Sequence, residues 1–250
     1  MGSRIVLITG ANSGVGFATA QVLASAKEDF HVIMAGRSID KVQKALDELE
    51  SSIGTSGKLS ALQIDVVDEK SIEKAAEEVQ RQHGRLDVLI NNAGATSSSE
   101  NIRERFTVCF QTNVLGPALV SAAFRPLLLK SSNPYSIFIG SGVGSLAAAA
   151  GPSSLALRFP NGEMYRASKA ALNMLMLDEW TKFKGQGLKT FCLDPGLVVS
   201  NLRGASESAR TANGLAKDPL DAGRNVLSVL QGKRDAETGQ CLSNESVHPW

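Results

Sequence analysis

The sequence contains few cysteines and few histidines, and neither type is grouped. The cysteines are odd in number, widely scattered and without a C-x-x-C pair, which argues against a zinc or redox centre. The histidines lack the spacing of metal ligands. We therefore expect core thiols, structurally placed histidines and no metal site. These residues are Cys109, Cys192, Cys241, His31, His83 and His248.

The chain also lacks an excess of one charge and a long hydrophobic run near its start. Its 26 Lys and Arg balance 25 Asp and Glu, so the formal net charge of +1 provides no field that would attract nucleic acid or an anionic membrane. The run Arg4–Thr9 is too short to span a membrane and has no signal-peptide cleavage pattern. We expect a cytoplasmic protein whose partner is a small molecule, with no nucleic-acid or membrane partner.

What the sequence does contain is a repeated alternation of short apolar runs with longer amphipathic stretches. This pattern predicts an α/β fold with a doubly wound parallel sheet. No internal repeat or change in composition divides the chain, so residues 1–250 are expected to form a single domain. The predicted strands are residues 5–8, 31–35, 59–64, 86–90, 135–139 and 188–193.

Two amphipathic helices and two loops stand out between these strands. Ser38 is predicted to cap a helix that ends near Ile53, and residues 71–82 carry a second apolar stripe with charged residues facing water. Residues 147–162 and 201–219 are rich in small and polar residues and are predicted to be loops.

The strongest local pattern is a glycine-rich turn between the first strand and a helix. Its glycines would permit a tight turn, close backbone approach to a pyrophosphate and close packing, and the helix start would supply free N–H groups. The alternative is a purely structural turn. The segment is Thr9-Gly10-Ala11-Asn12-Ser13-Gly14-Val15-Gly16, with G-x-x-x-G-x-G spacing.

The end of the second strand indicates which dinucleotide would bind. An NAD-binding fold places an acidic residue there, whereas this chain has Gly36 and Arg37. A guanidinium pairs with a 2′-phosphate that a carboxylate would repel, which favours NADP(H) over NAD(H). The alternative is an ordinary surface arginine.

Tyr165 and Lys169 are four residues apart in a predicted helix, so they share one face. An ammonium group near a phenol favours the phenolate, which would lower the tyrosine pKa and make it a usable acid or base. By itself such a pair occurs often by chance.

Taken together, these patterns resemble the short-chain dehydrogenase/reductase family in order and spacing, over nearly the whole chain. The segment at 164–176 and the ending at 248–250 are similar to fungal carbonyl-reductase-like members. The resemblance implies a Rossmann-type fold. It is carried by residues 9–16, Asn91-Asn92-Ala93-Gly94, Asn113, Tyr165-x-x-x-Lys169 and Pro195-Gly196.

The resemblance also implies roles for single positions. Asp65 and Val66 would hold the adenine ring, Asn113 would anchor a water in a proton relay, and Lys169 would bind the nicotinamide ribose as well as act on Tyr165. The implied cofactor-binding residues are Gly10, Asn12, Ser13, Gly14, Val15, Gly16, Arg37, Asp65, Val66, Asn92, Ala93, Gly94, Tyr165, Lys169, Pro195, Gly196, Val198 and Ser200.

The sequence departs from the family pattern after the fifth strand. The family's substrate-binding serine aligns with Gly142, one residue after Ser141. Three interpretations stay open: Ser141 supplies the hydroxyl, Ser145 supplies it, or the substrate is oriented without it. Ser141 could equally be a turn residue. Asp194, before Pro195, is unusual beside a nicotinamide site and is interpreted as a turn former or a substrate contact.

The two predicted loops would lie beside the substrate cleft. Leu155, Leu157 and Phe159 are expected either to wall an apolar pocket or to pack on a strand edge. Residues 201–219 occupy the place of the family's mobile substrate lid.

The leading hypothesis is NADPH-dependent reduction of a ketone or aldehyde, with Tyr165, Lys169, Asn113 and Ser141 as the catalytic set. The alternatives are a scaffold repurposed for a biosynthetic isomerisation or cyclisation, and a cofactor-binding regulator without chemistry. The expected partner is a small carbonyl compound. Family resemblance implies pairing into a homodimer or homotetramer through the Tyr165 helix and the one before it.

Overall fold

The computed structural model describes residues 2–54, 58–151, 161–244 and 246–250, and Leu155, Leu157 and Phe159 lie outside this set. Eight strands form one sheet in the order β3-β2-β1-β4-β5-β6-β7-β8. All neighbours are parallel except β8, which is antiparallel to β7. The strands are β1 Arg4–Thr9, β2 Phe30–Gly36, β3 Leu59–Gln63, β4 Val88–Asn91, β5 Tyr135–Ile139, β6 Lys189–Leu193, β7 Cys241–Leu242 and β8 Val247–His248.

Helices follow most strands, as the alternating pattern predicts. A π-helical segment, Gln111–Leu115, joins the fourth and fifth helices into one continuous run. The helices are α1 Gly14–Ala24, α2 Ile39–Ile53, α3 Glu69–His83, α4 Ile102–Phe110, α5 Gly116–Leu128, α6 Leu146–Ala150, α7 Glu163–Phe183, α8 Glu207–Arg210 and α9 Leu220–Leu230.

The sheet is covered on both faces, which confirms the doubly wound α/β architecture. Alternate residues of β1 enter different cores: Val6 and Ile8 pack with residues of α1, α2 and α9, whereas Ile5 and Leu7 pack with residues of α3 and α5. This alternation follows from the two-residue repeat of a strand. Because both faces are buried, the strands are apolar throughout rather than alternately polar.

The ends of two helices show how local sequence sets their boundaries. Ser38 caps α2 by accepting a hydrogen bond from the Lys41 N–H, as predicted. The α3 helix begins at Glu69, before the predicted start at 71, because the Asp68 carboxylate accepts from the N–H groups of Lys70 and Ser71. The Ser71 hydroxyl instead accepts from the Asp65 N–H.

Both segments predicted to be loops contain short helices, so that prediction is wrong in part. Leu146–Ala150 is helical because Ser145 caps it through the Ala148 N–H and four alanines follow Leu146. Residues 201–219 contain the helical turns Asn201–Arg203 and Glu207–Arg210. The two-residue strands β7 and β8 were not predicted, because pieces this short carry no periodicity.

The helical run from Ile102 to Leu128 is the one candidate membrane span in the described part of the chain, by length and composition. It has 27 residues, and the mean hydropathy of its 18-residue window is 1.2. Buried Arg105, Asn113 and Ser121 lie within it, and its two helices pack against α7 and α3. Packing within the fold therefore accounts for its apolar character.

Hydrogen bonds fasten the carboxyl ends of β1 and β4 to each other. The Thr9 hydroxyl oxygen accepts from the N–H groups of Asn92 and Ala93, both at 3.0 Å. The Asn92 amide in return donates to the carbonyls of Thr9 and Gly10 at 2.7 and 3.2 Å. Strand order reverses between β1 and β4, so these bonds shape the crevice where open α/β sheets bind ligands.

We expect Thr9→Val to lower the free energy of unfolding by about 3 kcal/mol, because it leaves two sheltered N–H groups without an acceptor while preserving side-chain volume. Urea denaturation monitored by circular dichroism measures the change. The matched control is Thr190→Val, since the buried Thr190 hydroxyl has no hydrogen-bond partner among the described residues. Equal effects of the two substitutions would contradict the prediction.

Candidate active site

The glycine turn after β1 forms a cradle that excludes side chains. Gly10 and Gly14 have φ angles of +66° and +58°, which favour glycine. A β-carbon added at Gly16 would lie 2.5 Å from Asn92 Nδ2 and 2.8 Å from the Gly10 carbonyl oxygen. Close packing of α1 against the ends of β1 and β4 therefore requires glycine there.

The first turn of α1 is open to an anion. Ser13 is the N-cap residue, but its side chain makes no capping bond, and the first turn contains no acidic residue. The N–H groups at a helix start have no intrahelical acceptors and carry the positive end of the helix dipole. Residues 12–16 thus suit a diphosphate, which fits the predicted contribution of Asn12 and Val15 to a dinucleotide site.

The end of β2 lies beside this turn and carries no carboxylate. A β-carbon at Gly36 would lie 3.3 Å from Asn12 Oδ1 and 2.9 Å from Val42 Cγ2. Arg37 is exposed, and its carbonyl is held by Gln63 at 3.2 Å. The end of β2 therefore offers the Arg37 guanidinium group in place of the carboxylate that usually binds the ribose of NAD.

The two residues predicted to hold the adenine ring follow β3 and differ in burial: Asp65 is partly buried and Val66 is buried. Asp65 accepts from the Val67 N–H at 3.2 Å and is partly buried. The Val66 side chain packs in the core, where a β-carbon at Gly116 would lie 3.0 Å from Val66 Cγ2. Any contact of Val66 with an adenine ring would therefore rest mainly on its backbone.

Asn113 links the segment after β4 to α7. It lies in the π-helical segment, is fully buried, and accepts from the Ala95 N–H at 2.8 Å. Its amide donates to the Ala95 carbonyl and the Ser168 hydroxyl at 2.9 and 3.0 Å. A β-carbon at Gly94 would lie 3.5 Å from Asn113 Oδ1 and 3.9 Å from Lys169 Nζ. Three predicted site residues therefore lie within a few ångströms of one another, as their predicted roles require: Gly94, Asn113 and Lys169.

Tyr165 and Lys169 lie in the first two turns of α7, one above the other. Lys169 Nζ is 5.7 Å from the centre of the Tyr165 ring and donates to the Ile139 carbonyl at 2.8 Å. Lys169 is buried and Tyr165 is partly buried. The end of β5 thus fixes the ammonium group beneath the phenol.

Burial changes the acid-base properties of both groups. Desolvation lowers the pKa of Lys169 to about 8, despite nearby Asp194 and three cysteines. Desolvation, followed by the negative charge of Asp194, raises the pKa of Tyr165 well above its ordinary value, and Arg203 opposes this only in part. The expectation that Lys169 lowers the Tyr165 pKa is therefore wrong for the protein groups alone, because desolvation of the phenol dominates.

Both serines near Gly142 accept a hydrogen bond from a backbone N–H group, which does not engage the O–H donor of either hydroxyl. Ser141 Oγ accepts from the Val143 N–H at 3.4 Å, which is the turn role that was one of its two interpretations. Ser145 is 3% exposed, and its oxygen caps α6 through the Ala148 N–H at 3.0 Å. A β-carbon at Gly142 would lie 2.9 Å from Asp194 Oδ2. A side chain at position 142 would therefore require the Asp194 carboxylate to move.

The segment after β6 turns back toward the glycine cradle. Asp194 Oδ1 accepts from the Gly196 N–H at 2.9 Å, so its interpretation as a turn former is confirmed. Val198 is buried and bridges to Lys217, whereas Gly196 is exposed. The Ser200 β-carbon would lie 3.3 Å from a β-carbon at Gly14. Of the predicted cofactor residues in this segment, Ser200 thus lies against the turn after β1.

Three features of the site were missed by sequence reasoning. Ser168 donates to the Tyr165 carbonyl at 2.7 Å and accepts from Asn113. Arg105 of α4 forms an ion pair with Glu163 at the start of α7. His248 pairs with Asp194 at 2.9 Å, although the two residues are 54 positions apart. Only the unusual Asp194 gave a signal in the sequence.

Comparison with known proteins gives consistent matches over the whole chain. The profile of the family described as short chain dehydrogenase matches residues 4–211. The short-chain dehydrogenase/reductase tropE of Talaromyces stipitatus is 34% identical over 261 residues, covering 99% of this chain and 98% of that protein. The short-chain dehydrogenase/reductase eupG of Phoma sp is 35% identical over 271 residues, with coverages of 98% and 97%.

A solved structure extends the likeness to the fold. The structure of NADPH-bound carbonyl reductase from chicken fatty liver has a TM-score of 0.84 and 28% identity, and each chain is covered over 100% of its length. The sheet order, the glycine cradle and the Tyr165–Lys169 pair agree with the family matches. This chain therefore belongs to the short-chain dehydrogenase/reductase family of oxidoreductases.

Proposed function

We propose that the protein reduces a ketone or aldehyde to an alcohol with NADPH, and that Tyr165 donates the proton. The observation that carries this proposal is the placement of Tyr165 above buried Lys169, between the segments that follow β4, β5 and β6. These segments surround the carboxyl edge of the sheet, where a nicotinamide and a carbonyl compound would meet. NADPH, when bound, supplies hydride to the carbonyl carbon.

The acid-base state of Tyr165 suits reduction. Because burial and Asp194 raise its pKa, the phenol keeps its proton at neutral pH. A protonated phenol can give that proton to the substrate oxygen as negative charge develops there. Lys169 carries a positive charge over most of the neutral range, since its pKa is about 8. That charge would stabilise the phenolate left after proton transfer.

The preference for NADPH rests on Arg37 and on the open start of α1. Residues 12–16 offer backbone N–H groups to a diphosphate, and exposed Arg37 offers a guanidinium group to a 2′-phosphate. No acidic side chain stands at Gly36 or Arg37 to favour an unmodified ribose. The carbonyl reductase with the same fold was crystallised with NADPH, which supports this choice of cofactor and of reaction.

We expect Tyr165→Phe to lower the rate of carbonyl reduction by about 100-fold or more, because it removes the proton donor and leaves the ring in place. Loss of NADPH absorbance with a panel of ketones and aldehydes measures the rate. The matched control is Tyr135→Phe, since Tyr135 is the other tyrosine and its hydroxyl donates to Asp235, away from the proposed site. Near-normal turnover by the Tyr165 variant would overturn the mechanism.

Arg37→Ala is expected to weaken NADPH binding by about 10-fold to 100-fold, the usual contribution of hydrogen bonds to a charged group. Binding of NADH, which has no 2′-phosphate, should change by less than about twofold. Quenching of intrinsic fluorescence by each nucleotide measures both constants. Arg81→Ala, which removes another exposed arginine far from the crevice, serves as the control. Equal weakening for both nucleotides would exclude a phosphate-specific role.

Lys169→Met should raise the free energy of unfolding at pH 7 by about 3 kcal/mol, because the wild-type protein buries a charge whose pKa falls from 10.5 to about 8. Between these two pH values the unfolded chain binds more protons than the folded chain, so wild-type stability rises with pH. The advantage of the variant should therefore shrink through this window. Urea denaturation at pH 7 and pH 10.5 tests it, and a constant difference would refute it.

A further inference from the structure

A histidine and a carboxylate occupy the position where the family's substrate-binding serine would project. A β-carbon added at Gly142 would lie 2.9 Å from Asp194 Oδ2, 3.2 Å from His248 Cε1 and 3.3 Å from His248 Nε2. Asp194 Oδ2 and His248 Nε2 are themselves 2.9 Å apart. The missing side chain at position 142 is thus replaced by the Asp194–His248 pair.

Backbone contacts at the end of β6 position Asp194, and the pairing of β8 with β7 positions His248. Asp194 directly follows β6, its N–H donates to the Leu242 carbonyl at 2.7 Å, and its Oδ1 holds the turn at Gly196. His248 belongs to β8 and stands opposite Cys241 in β7. After it, the Trp250 carbonyl accepts from the Ala147 N–H at 2.8 Å. The segment after β8 is therefore fastened across the segment that follows β5.

This position is next to the proposed catalytic groups. A β-carbon at Gly144 would lie 2.8 Å from the Lys169 carbonyl carbon, so the turn 142–144 packs directly on α7. The charge of Asp194 raises the pKa of Tyr165, which places the carboxylate within electrostatic reach of the phenol. The side chains of Asp194 and His248 are 13% and 28% exposed, so neither is sealed inside the core.

The histidine retains one ring nitrogen for such a ligand. Nε2 is engaged by Asp194, whereas Nδ1 has no hydrogen-bond partner in the part of the chain that the structure describes. An imidazole held through one nitrogen by a carboxylate is fixed in orientation. With Nε2–H donating to Asp194, Nδ1 carries a proton only when the ring is an imidazolium, in which form the pair has no net charge and Nδ1–H is a strong donor.

We propose that His248, oriented by Asp194, binds the substrate oxygen beside Tyr165 in place of the absent serine hydroxyl. The inference rests on the proposed carbonyl reduction and adds a residue to it. In the imidazolium form, His248 Nδ1–H donates a hydrogen bond to the carbonyl oxygen while Tyr165 transfers the proton, so His248 itself neither gains nor loses a proton. Ser141 and Ser145 keep their structural roles in turn and helix capping.

The central test compares His248→Ala with the double variant Gly142→Ser/His248→Ala. The single substitution should lower kcat/KM about 100-fold, the usual effect of losing one donor to a developing oxyanion. Removal of the imidazole also frees the Asp194 carboxylate from its partner, so that it can move away from a side chain at position 142. The added serine should therefore recover at least about tenfold of that loss. Turnover is measured with cyclohexanone or benzaldehyde, whichever the wild-type enzyme reduces faster.

Two measurements separate this donor role from simple anchoring of β8. NADPH affinity and thermal midpoint should be unchanged in His248→Ala, and Val247→Ala, an exposed neighbour in β8, should reduce at the wild-type rate. If His248→Ala loses NADPH binding, His248→Asn, whose amide N–H replaces Nδ1–H, is compared in its place and should retain activity. Restoration by the Gly142→Ser substitution is not expected if His248 only anchors the strand.

The outcomes distinguish this inference from the function it rests on. A wild-type protein that reduces no carbonyl compound, or a fully active Tyr165→Phe variant, would overturn the proposed function and this inference with it. Wild-type reduction that persists within about threefold in His248→Ala would overturn the role of His248 alone, since one donor contributes about 100-fold. A His248→Ala defect that Gly142→Ser does not relieve, with NADPH binding intact, would likewise count against it.

Discussion

The bonds between the carboxyl ends of β1 and β4 are the constraint on which the site depends. Thr9 accepts from two N–H groups of the β4 segment, and Asn92 donates back to two carbonyls of the β1 segment. These bonds hold the glycine cradle and the Gly94 segment at a fixed separation. Gly94 in turn lies close to Asn113 and Lys169. The position of the buried Lys169 ammonium group relative to the glycine cradle therefore also depends on the bonds between β1 and β4.

The second constraint is desolvation, which opposes the charge that the proposed chemistry needs. Lys169 is buried and donates to the Ile139 carbonyl, and desolvation lowers its pKa because burial disfavours the charged form. Such a group is kept where function requires it rather than where stability favours it. The raised pKa of Tyr165 follows from the same desolvation and from the charge of Asp194, and it keeps the phenol protonated, as the proposed proton transfer requires.

The third constraint is steric and concerns the position of the family serine. Asp194 and His248 lie against Gly142, and a β-carbon there would require the Asp194 carboxylate to move. The residue that lies against Gly142 comes from the last strand, because β8 pairs with β7 and carries His248. A short antiparallel strand thus brings a side chain into the crevice that the parallel strands form.

Most of the fold was predictable from the sequence, because buried parallel strands and amphipathic helices differ in apolar periodicity over five or more residues. The six long strands, the Ser38 cap and the residues of the glycine cradle followed from such local patterns. The strands β7 and β8 were not predictable, since two residues have no periodicity and their pairing is set by long-range contacts.

The sequence by itself determined the glycine turn, the Arg37 position and the shared helical face of Tyr165 and Lys169, because each depends on neighbours within a few residues. The tertiary structure alone decided the direction of the Tyr165 pKa shift, the backbone hydrogen bonds that Ser141 and Ser145 accept, and the pairing of Asp194 with His248. Desolvation and contacts across 54 positions arise only when distant strands meet, so no local pattern could contain them.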